Sequence, residues 1–182
     1  NPEVFAKTVT LNGTGEVNFV NRLNMGANGT INVDQNVTLR GDITTNPVTG
    51  IAINLGQNTL TYQGTATLAG VVAINTTINP GVGIGNIVVD GAASTLNLAA
   101  ATGVTINLNG ASNLADIGKT YRLLTVVNGG TITNSPVAPV LTNHDAAMPQ
   151  PAWAFNGNGT VSETIAPNNN EVDKLNARNT NA

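Results

Sequence analysis

The sequence predicts an all-β fold, a right-handed parallel β-helix of about 21–22 residues per coil with a C-terminal hairpin-rich cap, and three observations carry that expectation. The phrases Ile31-Asn32-Val33, Ile53-Asn54-Leu55, Ile74-Asn75-Thr76 and Leu96-Asn97-Leu98 recur at intervals of 22, 21 and 22 residues. A second column, Asn36, Asn58 and Asn79, follows the first three at a constant four residues. Composition points the same way. Only 9% of the 182 residues are charged and 3% aromatic, where about 25% charged is ordinary. The interior must then be built from Val, Ile, Leu, Ala and Thr, which suit pleated strands.

Each coil divides into three short strands. In the first, at Gly29–Val33 and Ile51–Leu55, alternation with period 2 turns aliphatic side chains inward and the asparagines of the first column outward. A polar corner follows at Asp34-Gln35-Asn36, Gly56-Gln57-Asn58 and Thr77-Ile78-Asn79, where Asn suits the turn because it tolerates the left-handed region. Corner asparagines stacked one coil above another are expected to bond to their copies and so satisfy their amides. Second strands are expected at Val37–Leu39, Thr59–Tyr62 and near Val82–Ile84, and third strands at Asp42–Thr44, Ala66–Leu68 and Ile87–Val89. Turns handing over to strands are marked by Asn-Gly-Thr at Asn12, Asn28 and Asn158 and by Gly-Thr at Gly64 and Gly130. An antiparallel sandwich also fits short strands with regular turn signals. It gives no reason, however, for identical side chains to recur with a fixed period.

Residues 1–110 are therefore assigned to the coils and 111–166 to an atypical coil and cap. In the cap, Gly118–Val127 is the longest strand-like run, and Asn128-Gly129-Gly130 reads as a hairpin or a turn into Thr131–Thr133. The proline-rich stretch 134–151 reads as an excursion loop. Trp153-Ala154-Phe155 and Thr160–Ile165 read as a closing hairpin over the open end, and 167–182 as a polar tail or short helix.

Chemistry-bearing constellations are sparse. The ten acidic residues are dispersed, and none of Asp34, Asp42, Asp90 and Asp116 keeps the coil period that would pair carboxylates for acid and base work. They read as solvated turn residues. His144-Asp145 is the only His-Asp pair, and it lies in the proline-rich loop with no nucleophile elbow around Ser94, Ser112, Ser135 or Ser162. One His, no Cys and no calcium-binding glycine repeat argue against a metal, and Gly81-Val82-Gly83-Ile84-Gly85 has the wrong spacing for a dinucleotide loop. No cofactor and no enzyme activity are expected. The Asn-x-Thr triplets follow from composition. A net charge of −3 with scattered Lys and Arg offers no stripe for nucleic acid. The longest apolar stretch, Leu68–Ile74, is far shorter than the roughly 20 residues of a membrane helix. The start Asn1-Pro2-Glu3, without a leader pattern behind it, reads as a processed or excised piece.

Short aliphatic strands punctuated by Asn-Gly-Thr, the phrases Gly29-Thr30-Ile31-Asn32-Val33 and Gly64-Thr65-Ala66-Thr67-Leu68-Ala69-Gly70-Val71-Val72, and the absence of Cys together resemble the passenger regions of bacterial autotransporters. The style is most similar to the Asn/Thr/Gly-rich surface cell antigens of rickettsiae, of the outer-membrane-protein B type. Gly118-Lys119-Thr120-Tyr121-Arg122-Leu123-Leu124 looks like the strand opening the C-terminal capping, or autochaperone, region of such passengers. The resemblance spans about residues 10–165. It implies export through an outer-membrane β-barrel encoded in the same polypeptide, and display on the extracellular side of the bacterial outer membrane. The implied role is adhesion to or invasion of host cells through a host-cell surface protein or extracellular component. A stalk or surface-layer spacer that presents other domains is the alternative, and a carbohydrate-active enzyme stands third. As contact positions, the irregular loop with His144 and Asp145 and the ring of Trp153 are the candidates.

Overall fold

The structure, a computed structural model, describes residues 4–18, 22–110, 116, 120–133, 135–137, 139–142, 150–155 and 161–166. Every multi-residue regular element among them is a strand. The chain opens with β1 (Val4–Leu11), β2 (Gly15–Asn18) and β3 (Leu23–Val33). It continues through β4 (Val37–Arg40), β5 (Ile43–Thr45), β6 (Ile51–Gly56), β7 (Thr59–Gln63), β8 (Thr65–Thr67) and β9 (Gly70–Asn79). Next come β10 (Gly83–Ile84), β11 (Asn86–Asp90), β12 (Thr95–Asn97) and β13 (Ala101–Asn109). Last are β14 (Thr120–Arg122), β15 (Leu124–Val127), β16 (Thr131–Thr133), β17 (Val140–Thr142), β18 (Gln150–Phe155) and β19 (Val161–Ala166).

Parallel pairing joins these strands into three ladders. The first runs through the C-terminal half of β3, then β6, β9, β13 and β17. The second is β2, β4, β7, β11 and β15. The third is the N-terminal half of β3, then β5, β8, β12 and β16. β1 lies parallel beside both halves of β3. From β3 to β17 the chain enters the first, second and third ladders in that order and begins again.

Register follows from what each ladder buries. In the first, Ile31, Ile53, Ile74 and Ile106 stack in one column, all buried. In the second, Val37, Leu60, Ile87 and Leu124 do the same, and in the third Ile43, Ala66 and Leu96. Aliphatics from all three ladders meet in a single core cluster. A slip of one residue would turn every one of them to the other face of its strand, so the period-2 pattern fixes the pairing. Where corners approach closely, the residue type is dictated as well. Gly50 has φ of +72°, and a Cβ there would lie 1.9 Å from the Val71 carbonyl oxygen.

The regular interval holds only as far as Asn75. Its partner in the next circuit is Asn107, 32 residues on, and not Asn97. Insertions at three corners cause this, one of them the Gly91–Ser94 turn, which makes the passage from Val89 to Thr95 longer than that from Tyr62 to Thr65. β10 pairs antiparallel with the end of β9, forming a hairpin where a second strand was expected near Val82–Ile84. A turn then closes from the Leu98 carbonyl to the Ala101 N–H, just before β13. Leu96-Asn97-Leu98 thus falls in the third ladder, Asn97 lying between Thr67 and Thr133. Ile87–Val89 falls in the second ladder, beside Leu60–Tyr62, and not in the third.

The expected long strand Gly118–Val127 is divided at Leu123. β14 pairs antiparallel with β19, while β15 pairs parallel with β11. Asn128-Gly129-Gly130 is a corner between two ladders and no hairpin; Asn128 and Gly129 have φ of 50° and 82°, which turns the chain from β15 to β16. β18 and β19 form an antiparallel hairpin. The 167–182 tail lies outside the described residues.

Substituting Asn54→Ala should lower unfolding free energy by about 1–2 kcal/mol, because it strands one half-buried amide partner on each side. Asn97→Ala should cost less than about 1 kcal/mol, since only a local bond to the Ala99 N–H is lost. Urea unfolding midpoints at constant slope compare the two.

Candidate functional site

The outward face of the first ladder carries a chain of amides. Asn54 Nδ2 donates to Asn32 Oδ1 at 2.7 Å, Asn75 Nδ2 to Asn54 Oδ1, and Asn107 Nδ2 to Asn75 Oδ1. Asn32 Nδ2 ends the chain on Thr10 Oγ1. In-register stacking causes this, because each asparagine meets its counterpart one strand away, where an amide can both donate and accept. Of the first column, then, Asn32, Asn54 and Asn75 act together, Asn107 joins them unforeseen, and Asn97 does not take part.

The corner column behaves differently from the expected ladder of copies. Asn36 Oδ1 accepts from the Thr59 N–H, and Asn58 Nδ2 donates to the Val33 carbonyl, so both staple backbone between circuits. Asn79 is no corner equivalent; it lies opposite Gly83 in the β9–β10 hairpin. His144 and Asp145 lie outside the described residues. Trp153 lies on β18 opposite Glu163 of β19.

Asp34 and Asp42 are exposed, as expected of solvated turn carboxylates, whereas Asp116 and Asp90 are tied into the fold. Asp116 is fully buried and accepts from the Tyr121 hydroxyl at 2.6 Å and from the Gly81 N–H at 2.7 Å, which corrects its expected solvated state. It ties the tip of the β9–β10 hairpin to the start of the C-terminal strands. Asp90 accepts from Asn128 Nδ2 at 2.6 Å and Gln63 Nε2 at 2.7 Å. The Asn128 amide, then the Gln63 amide, hold its carboxyl below the usual carboxylate range, with Arg40 adding to the effect. Inside the core, burial pushes the Tyr62 hydroxyl up, and that hydroxyl donates to the Gly41 carbonyl at 2.6 Å.

Beside the hairpin lies a cleft of about 490 Å³. Its floor is the outward face of the second ladder at Asn86 and Thr125, with Gln57 from the corner before β7. One wall is the hairpin with Asn79, Val82 and Ile84, and the other carries Tyr121 and Arg122 of β14. Val82 and Arg122 are exposed. Among the described residues, Asn86 Oδ1 is shut off from solvent and no donor reaches it. An oxygen left so costs about 1–3 kcal/mol, which a ligand donor would recover. In sequence, Gly81–Gly85 shows only a spacing wrong for a dinucleotide loop, and the cleft beside it stays unseen. The available signal was that the corner column stops at Asn79, just before five residues with glycine at alternate positions.

Among the described residues no cluster of three His, Asp or Glu side chains could hold a metal ion, and no helix is long and apolar enough to cross a membrane. Set against protein-family models, curated proteins and solved structures, the chain matches none.

The depressed Asp90 carboxyl fixes the sign of a pH effect. A group whose folded value lies below its unfolded value, about 3.9 for Asp, contributes stability above that value and loses it as pH falls through the folded one. Asp90→Asn, which cannot accept from both amides, should therefore be less stable than the parent at neutral pH. The difference should shrink as pH falls through the depressed folded value and vanish below it. Thermal melts of the pair across pH measure this.

Proposed function

We propose that this chain is a segment of a right-handed parallel β-helix from an autotransporter passenger of the rickettsial surface-antigen type, displayed outside the bacterial outer membrane, where it contacts host cells. The observation that carries the reading is the in-register stack of Asn32, Asn54, Asn75 and Asn107 on the first of three ladders entered in constant order. Stacked coils with laddered polar residues are what a rod made of repeats requires. The own outer-membrane β-barrel is placed elsewhere in the same polypeptide, and the cap role belongs to the β14–β19–β18 sheet at the end of the ladders.

Contact is assigned to the interrupted circuit, not to the regular faces. There the hairpin leaves Val82 75% exposed beside Arg122 and the cleft, whereas the laddered faces spend their polar groups on each other. The partner is a host-cell surface protein or extracellular component. Catalysis is disfavoured by the same economy: Asp90 is committed to two amides and Asp116 to Tyr121 and Gly81, so neither is placed to shuttle a proton.

A spacer role is the second reading, favoured by the even register from Thr10 to Asn75. The two separate in one assay. The soluble chain should bind host cells and compete with the intact bacterium, and Val82→Asp should abolish both without changing the melting temperature by more than a few degrees. Failure of the parent chain to bind or compete would sink the adhesive role and leave the spacer.

A further inference from the structure

We infer that the cleft between the β9–β10 hairpin and β14 binds a pyranose sugar that carries a carboxylate, held at Arg122. The inference deepens the contact role proposed above and rests on it for its biological setting. The cleft, about 490 Å³, falls within the roughly 300–1,000 Å³ of small-ligand sites. Its lining is selective in chemistry. Gln57, Asn79, Asn86 and Thr125 are uncharged groups that each donate and accept, as the hydroxyls of a sugar demand. Val82 and Ile84 offer an aliphatic wall to the C–H face of a ring. Such a lining fits a saccharide better than a peptide side chain.

Arg122 decides the charge. Among the described residues it is the only charged one lining the cleft, it is exposed, and its guanidinium can take a carboxylate through two parallel hydrogen bonds. Among the described residues no carboxylate shares the lining, and Asp116 is buried and occupied by the Tyr121 hydroxyl and the Gly81 N–H. A neutral sugar would leave the guanidinium unused. Asn86 supplies an independent sign of a missing ligand, because its Oδ1 is buried with no donor among the described residues. A small rotation of the amide presents that oxygen to a ring hydroxyl in the cleft. The hairpin, inserted before the second-ladder strand β11, forms one wall, so the site exists at a single circuit.

Two sources share this chemistry: terminal sialic acid on glycoproteins and uronic acid in acidic polysaccharides. Isotope-labelled protein, titrated with N-acetylneuraminyl-lactose, with glucuronic acid and with lactose, tests the site through the side-chain amide resonances of Gln57, Asn79 and Asn86. At least one acidic sugar should give saturable shifts at these amides, with a Kd on the order of 1 mM, as an open site making few contacts implies. Lactose should bind at least about tenfold more weakly, and Arg122→Gln should bring the acidic sugar down to that level. The tighter acidic sugar identifies the source. Absence of saturable shifts with both acids, equal binding of lactose, or full binding by Arg122→Gln would overturn the site. Cell binding that needs Val82 without any sugar binding overturns the sugar site alone. Sugar binding by a chain that ignores host cells overturns the host-contact role alone.

Discussion

Parallel pairing in register is the constraint on which the remaining structure depends. When each strand lies directly on its counterpart at about 4.8 Å, like side chains stack upon like, and each column must be a residue that tolerates its own copy as neighbour. Isoleucine does so by packing, as Ile31, Ile53, Ile74 and Ile106 show in the core. Asparagine does so by donating with one end of its amide and accepting with the other. Carboxylates do not. Two of them about 5 Å apart repel by roughly 0.8 kcal/mol in water and about 3 kcal/mol at an effective permittivity near 20. A content of only 9% charged residues is the expected consequence. Where charge does occur on a ladder, its neighbours are of opposite sign or neutral: Arg40 pairs with Glu16, and Asp90 stands between Gln63 and Asn128.

The same constraint explains how much was legible in the sequence. Parallel stacking without insertions makes spatial neighbours recur at one interval, so the asparagines at 32, 54 and 75 announced themselves. Once a hairpin and longer corners enter, the spatial neighbour moves to 107 while a chance likeness remains at 97. Leu96-Asn97-Leu98 and Ile106-Asn107-Leu108 are equally good strand phrases. Only pairing selects between them. Ile87–Val89 was recognisable as a strand but not assignable to a ladder, because inward aliphatics look alike in all three. The antiparallel pairing of the C-terminal hairpin was readable from the turn-rich stretch between Phe155 and Val161.

The candidate site was far less legible, for a related reason. A repeat identifies itself by recurrence, whereas a site at its interruption occurs once. Gln57, Asn86, Thr125 and Arg122 come from three circuits and share no motif. Asn86 pairs with Thr59 and not with another asparagine, so it stands outside the amide chain, and its oxygen is left without a donor among the described residues. Asp116 was equally invisible, since a buried carboxylate and a solvated turn residue read alike in sequence until Tyr121 and Gly81 are brought to it. Regularity therefore accounts for the scaffold, and departures from it gather the groups free to meet a partner.

Cross-linking tests the central claim most directly, because the chain has no cysteine to interfere. Parallel neighbours lie within the Cα separation of about 4.4–6.8 Å that a disulfide requires. The pair Asn75→Cys with Asn107→Cys should oxidise rapidly to an intramolecular disulfide, and the pair Asn75→Cys with Asn97→Cys should not. Efficient closure of the second pair and failure of the first would contradict the register, and with it the account of the ladders, the hairpin and the cleft.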